Sequence, residues 1–159
     1  MTDRLSTIQN LLADLYEQLA GQEKAKVRAE DAQKARIQQQ IRDTWTEIRG
    51  YEREYVATLS QQVKRQDLPE SIAEVVTGEI LDAVEVLAPL EKQDEVKVLL
   101  QEILTKLNEP GTAASAKLKV VIPIIPNIVS YELEGDTESV VRRLFPTFVK
   151  VYEAIAPKK

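Results

Sequence analysis

The chain has 159 residues, 43% of them apolar and 30% charged, with a formal net charge of −5 and neither cysteine nor histidine. Without cysteine there are no disulfides and no thiolate metal sites, and without histidine the commonest general base and transition-metal ligand are missing. Five glycines leave little room for the turns of a many-stranded β fold, so the composition points to a helix-rich unit able to bury roughly 70% of its unfolded surface.

The charge is unevenly placed. Residues 67–109 hold 11 acids against 3 bases, a balance of −8, whereas residues 1–66 stand at +1 and 110–159 at +2. An acidic middle argues against nucleic-acid binding, which calls for a basic stripe, and allows charge-matched contact with a basic partner or a second copy. Asp3, Arg4 and Asp14 interrupt the start of the chain. No secretory h-region is visible there, and the expected location is cytoplasmic.

In chain order, Leu5, Ile8, Leu12, Leu15 and Leu19 recur at spacings of three and four, which predicts a helix from residue 3 to about 29 capped by Thr2 or Asp3. Gly21 weakens it by ~1 kcal/mol relative to alanine. Ile37, Ile41, Trp45, Ile48, Tyr55 and Leu59 resume the rhythm, with Asp31 the natural cap of this second helix. One continuous helix of about sixty residues would run ~90 Å. The seam fades on both sides of Glu30–Asp31, which favours an antiparallel hairpin over residues 1–66. Leu5, Ile8, Leu12, Leu15, Ile41, Trp45, Ile48 and Tyr55 are the candidate interaction seam. The aromatic trio Trp45, Tyr51 and Tyr55 fits packing better than ligand stacking.

Residues 67–159 read as a compact helical bundle. Asp67-Leu-Pro-Glu70 is a start signal in which Asp67 caps, Pro69 presets the first turn and Glu70 reaches back. The helix that follows carries Ile72, Val75, Val76, Ile80, Val84 and Leu87, and stops at Ala88–Pro89. A fourth helix, about residues 91–107, ends at Asn108-Glu-Pro-Gly111. The acids of both helices are read as a solvated face, since no oxygen-rich loop has calcium-site spacing.

Val120–Tyr131 is a run of twelve residues without a charge, too short for a bilayer, which takes about 20. Its prolines, Pro123 and Pro126, suit helix first turns and would spoil a central strand. We expect a helix from about Ile124, preceded by extended or irregular chain. The segment Val121, Ile122, Ile124, Ile125, Ile128 and Val129 is either buried core or a piece that inserts into a membrane or another protomer. The last helix carries Val140, Val141, Leu144, Phe148, Val151 and Tyr152 inward, with Asp136 as its cap and Glu138 complementing its dipole. Arg142 and Arg143 are expected to pair with Glu132, Glu134 or a neighbouring chain.

The stretch LYEQLAGQEKAKVRAEDAQKARIQQQIRDTWTEIRGYEREY (residues 15–55) resembles the helical-hairpin, effector-associated modules of cyanobacterial signalling and conflict proteins. The segment KLKVVIPIIPNIVSYELEGDTESVVRRLFPTFVKVYEAI (residues 117–155) is similar to C-terminal segments attached to such proteins. The resemblance implies a non-catalytic adaptor that joins a sensor to an effector by like-with-like association. This chain departs from the pattern in carrying no effector or NTPase domain, and no functional residues carry over.

No phosphate-binding loop, dinucleotide fingerprint, nucleophile elbow, HExxH or CxxC occurs. The sequence therefore predicts an all-α protein, a long coiled-coil-like hairpin followed by a helical bundle. It predicts no catalytic residues, no metal and no cofactor. The expected partner is a protein or a second copy of the chain, with a membrane-active helical effector as the alternative.

Overall fold

A computed structural model describes residues 3–132 and 139–155, and every regular element among them is helical. The first helix, α1 (Arg4–Arg28), starts where the Asp3 carboxylate accepts the Leu5 amide at 3.0 Å, satisfying one of the donors a helix N-terminus leaves open. It runs straight through Gly21. The reversal is made by Ala29 and Glu30, both extended (ψ 152° and 159°). Asp31, expected as the cap of the second helix, is instead its first residue, and Glu30 holds the cap position without a side-chain bond. An acid in the first turn favours the helix dipole from there as well. The second helix, α2 (Asp31–Arg65), is the longest element.

α1 and α2 pack antiparallel along the predicted seam. Leu5, Ile8, Leu12, Leu15 and Leu19 interlock with Ile41, Trp45, Ile48, Tyr55, Val56 and Leu59, all at most 8% exposed. Side chains spaced by three and four share one helix face, so this stripe is covered entirely within the chain. Its other flank lets α2 serve as the central post of the molecule, against which the later helices pack. From residue 20 to residue 40, however, no side chain is buried, and this end of the hairpin is a bare two-helix ribbon.

The third helix, α3 (Glu70–Leu87), begins after Pro69. Asp67, expected to cap it, forms an ion pair with Lys119 instead. Glu70 does not close a capping box: its carboxylate accepts the amides of Ala114 (2.6 Å) and Ser115 (3.3 Å) at the start of another helix, α5 (Ala114–Val121). Those bonds, the Ala114 amide first, hold the Glu70 carboxyl below the usual range. Between them α4 (Asp94–Leu107) starts three residues later than expected, because the Glu91 carboxylate takes the amides of Lys92 and Gln93 and holds the preceding chain in a turn. Gly111, at φ 79°, makes the left-handed step after α4 that other residues disfavour.

The chain before Ile124 is helical rather than extended or irregular. α5 passes through a 3₁₀ turn (Ile122–Ile124) into α6 (Ile125–Glu132). Pro123 and Pro126 each sit in the opening turn of their segment, where a missing N–H costs little. The last helix, α7 (Val140–Ile155), is capped by Ser139, whose Oγ accepts the Arg142 amide at 3.0 Å. Asp136 and Glu138, proposed for that end, lie outside the described residues. α7 packs along α3 and against α2, and the buried side chains of hairpin and bundle form a single apolar cluster.

Candidate functional site

The most concentrated polar chemistry lies where α1, α2 and α7 meet. Arg49 and Glu52 stand on α2 at seam spacing, one turn after the packed residue Trp45 and one turn before Val56 respectively, and both are wholly buried. Glu52 Oε2 accepts the Tyr16 hydroxyl and the Ser139 hydroxyl, each at 2.6 Å. Ser139 therefore serves two helices with one oxygen, accepting the Arg142 amide of α7 while donating to α2. The Arg49 guanidinium carbon lies 4.9 Å from the Trp45 ring centroid, and Arg142 approaches the same ring at 5.8 Å. A desolvated cation over an indole is worth ~2 kcal/mol. Arg142 also reaches Glu23 Oε1 on α1 at 3.3 Å.

Burial sets the electrostatics here. It pushes the Glu52 carboxyl up from its ordinary value, while the bonds from Ser139 and Tyr16 and the charges of Arg49 and Arg142 hold that rise back. Burial, reinforced by the Glu52 charge, raises the Tyr16 phenol well above its ordinary value. Burial likewise raises Tyr55, whose hydroxyl donates to Gln9 Oε1 at 2.7 Å. Phe145 of α7 stacks edge-on against Tyr16 with centroids 5.2 Å apart, and Phe148 meets Tyr55 at 6.4 Å.

A carboxylate beside a serine and a tyrosine could suggest acid–base or nucleophilic chemistry. Ser139, however, is 0% exposed, and its hydroxyl is committed on both sides. A substrate would have to displace helix capping to reach it. Two atoms of the cluster, Trp45 Nε1 and Glu52 Oε1, are buried without a hydrogen-bond partner among the described residues. The cluster ties three helices together, and two surface cavities lie away from it. One of about 410 Å³ sits between α3 and α7 over Ile72, Val75, Val76 and Ala154, and one of about 310 Å³ lies between α3 and α5 beside Glu70, Glu74 and Lys117. Among the described residues no group of acidic side chains could hold a metal ion.

The eight seam residues are brought together in the hairpin core, and none of them faces outward. Val121, Ile122, Ile124, Ile125, Ile128 and Val129 are also core, at most 8% exposed, while Val120 and Tyr131 at the ends of that run are half open to solvent. No described helix is long and apolar enough to cross a membrane. Of the aromatic trio, Trp45 and Tyr55 are buried in different surroundings and Tyr51 is half-buried. Arg142 pairs with Glu23; the Glu132 side chain and Glu134, the acids expected for it, lie outside the described residues. Sequence reasoning missed Arg49, Glu52 and Ser139. The available signal was a charged pair at positions where the α2 seam otherwise holds apolar groups.

What remains outward is apolar surface among charges. Val86 (47% exposed), Leu90 (69%) and Val98 (65%) open to solvent around α3 and α4, and Val27 (82%) does so on the hairpin end. No protein-family model, no curated protein and no solved structure matches this chain.

Proposed function

We propose that this chain is a non-catalytic helical interaction module, an adaptor that associates with other copies of itself or with a protein partner. The observation that carries the reading is the fate of its polar groups. Among the described residues the dense cluster of reactive side chain types is sealed from solvent and bonded between helices, while large apolar side chains stand exposed on an acidic helical face. Exposed apolar groups set among charges are the ordinary material of a protein–protein contact. The resemblance of residues 15–55 and 117–155 to effector-associated modules supports a place in a bacterial signalling or defence assembly, within the cytoplasm. The seam is spent inside the hairpin, so the partner-facing surface is the bundle exterior and the bare hairpin end. Affinity purification of the tagged chain from its native cytoplasm, followed by mass spectrometry, tests this. Co-purification of a discrete protein partner or of untagged chain is the expected result. Recovery of the chain alone, together with turnover of a small-molecule substrate, would overturn it.

A further inference from the structure

The hairpin end and the acidic face of the bundle are opposite in charge and alike in exposed apolar surface. On the hairpin end, Lys24, Arg28 and Arg36 have no ion-pair partner among the described residues, and Lys24 and Arg28 neighbour on α1 the most exposed of the large apolar side chains, Val27. On the bundle, Asp82, Glu85, Glu95 and Glu102 are equally without a cationic partner, beside Val86, Leu90 and Val98. The two surfaces belong to different parts of the chain: α1 shows no substantial packing against α3 or α4. We infer that residues 20–40 of one copy dock on the α3–α4 face of a second copy, with apolar contact at the centre and ion pairs at the rim. This rests on the self-association side of the proposed function and names its surfaces.

The size is adequate. An ordinary interface takes about 20–30 residues from each partner, and the hairpin end supplies about that number, none of them buried, with Ile37 packed against the edge of the core. Because the two surfaces differ, contact is reciprocal in a two-fold dimer or propagates from copy to copy. Opposite potentials also hasten encounter and set register, and salt weakens them.

The test is a charge swap read by sedimentation velocity at low ionic strength, with circular dichroism confirming that each variant folds. One variant carries Lys24→Glu and Arg28→Glu, the other Asp82→Lys and Glu85→Lys. All four positions are exposed, so folding is expected to survive. Each variant alone should associate at least ~10-fold more weakly than the unaltered chain, and an equimolar mixture should recover the association, since reversed and unreversed surfaces then find complements. An unaltered chain that associates just as strongly when either surface is reversed, or a mixture that fails to recover, overturns this inference and leaves the interaction-module reading standing. An unaltered chain that stays monomeric throughout overturns the inference and self-association together.

Discussion

Replacing Ser139 by alanine removes one oxygen that two helices use. As the α7 cap it accepts the Arg142 amide at 3.0 Å, an interaction worth ~1 kcal/mol. As a donor to Glu52 at 2.6 Å, it makes a bond to a charged group worth about 1.5–3 kcal/mol. With Glu52 ionised, Ser139→Ala should therefore destabilise the fold by ~2–4 kcal/mol. The loss should depend on pH. Burial raises the Glu52 carboxyl in the folded state, so the folded protein holds that proton more tightly than the unfolded chain. Glu52 accordingly weakens the fold as pH rises from its unfolded value through its folded one. The Ser139 bond lowers the folded value and offsets part of that penalty. Without it the penalty grows at neutral pH, but at low pH, with Glu52 protonated, only the cap and a neutral bond are lost. Urea unfolding followed by circular dichroism at pH ~4, near the ordinary Glu value, and at pH ~8 should show the loss larger by ~1 kcal/mol at the higher pH. A loss below ~0.5 kcal/mol, or one equal at both pH values, would refute the assignment of Ser139 as the joint between α2 and α7.

Ile48→Ala, at a fully buried seam position, should cost about 2–5 kcal/mol in urea unfolding, whereas Val27→Lys on the bare hairpin end should stay within ~0.5 kcal/mol. Glu70→Gln weakens the charged cap of α5 and should lower the melting temperature. The folded Glu70 carboxyl is depressed, so its stabilisation is present above the unfolded value and lost as pH falls through the folded one, and melting curves of the two proteins should converge in acid. The Tyr16 phenol is raised by burial and by Glu52; spectrophotometric titration should leave it unionised at pH ~10, where a free tyrosine is half ionised, and Tyr16→Phe should cost about 1.5–3 kcal/mol.

The hairpin was legible because its apolar positions keep a strict three-four spacing over two long stretches and lose it on both sides of residue 30. Periodicity of that kind reports a buried face, and the face proved buried. It does not say what covers it. The same stripe could have met another chain, and only the packing of α1 against α2 shows that Leu5 to Tyr55 are spent internally. Caps were read less well. Asp67 and Glu70 carry the right chemistry in the right order, yet both carboxylates serve the region of α5, more than forty residues away, because the tertiary fold offers open amides and a lysine there. The β-branched run from Val120 weighed toward extended chain before Ile124, but burial at three-four spacing (Leu118, Val121, Ile122, Ile125, Ile128, Val129) and two well-placed prolines favour helix. Arg49 and Glu52 could have been noticed as charges at seam positions. The link of Glu52 to Ser139 spans 87 residues, and no local pattern encodes it.

Self-association through exposed helical surfaces is the central proposal for this molecule. Sedimentation velocity of the unaltered full chain, across micromolar to millimolar concentration at low and at high salt, tests that most directly. The predicted result is a mass that climbs above the 17.9 kDa of one chain as concentration rises and falls back as salt is added. A single 17.9 kDa species at every concentration and salt would contradict it.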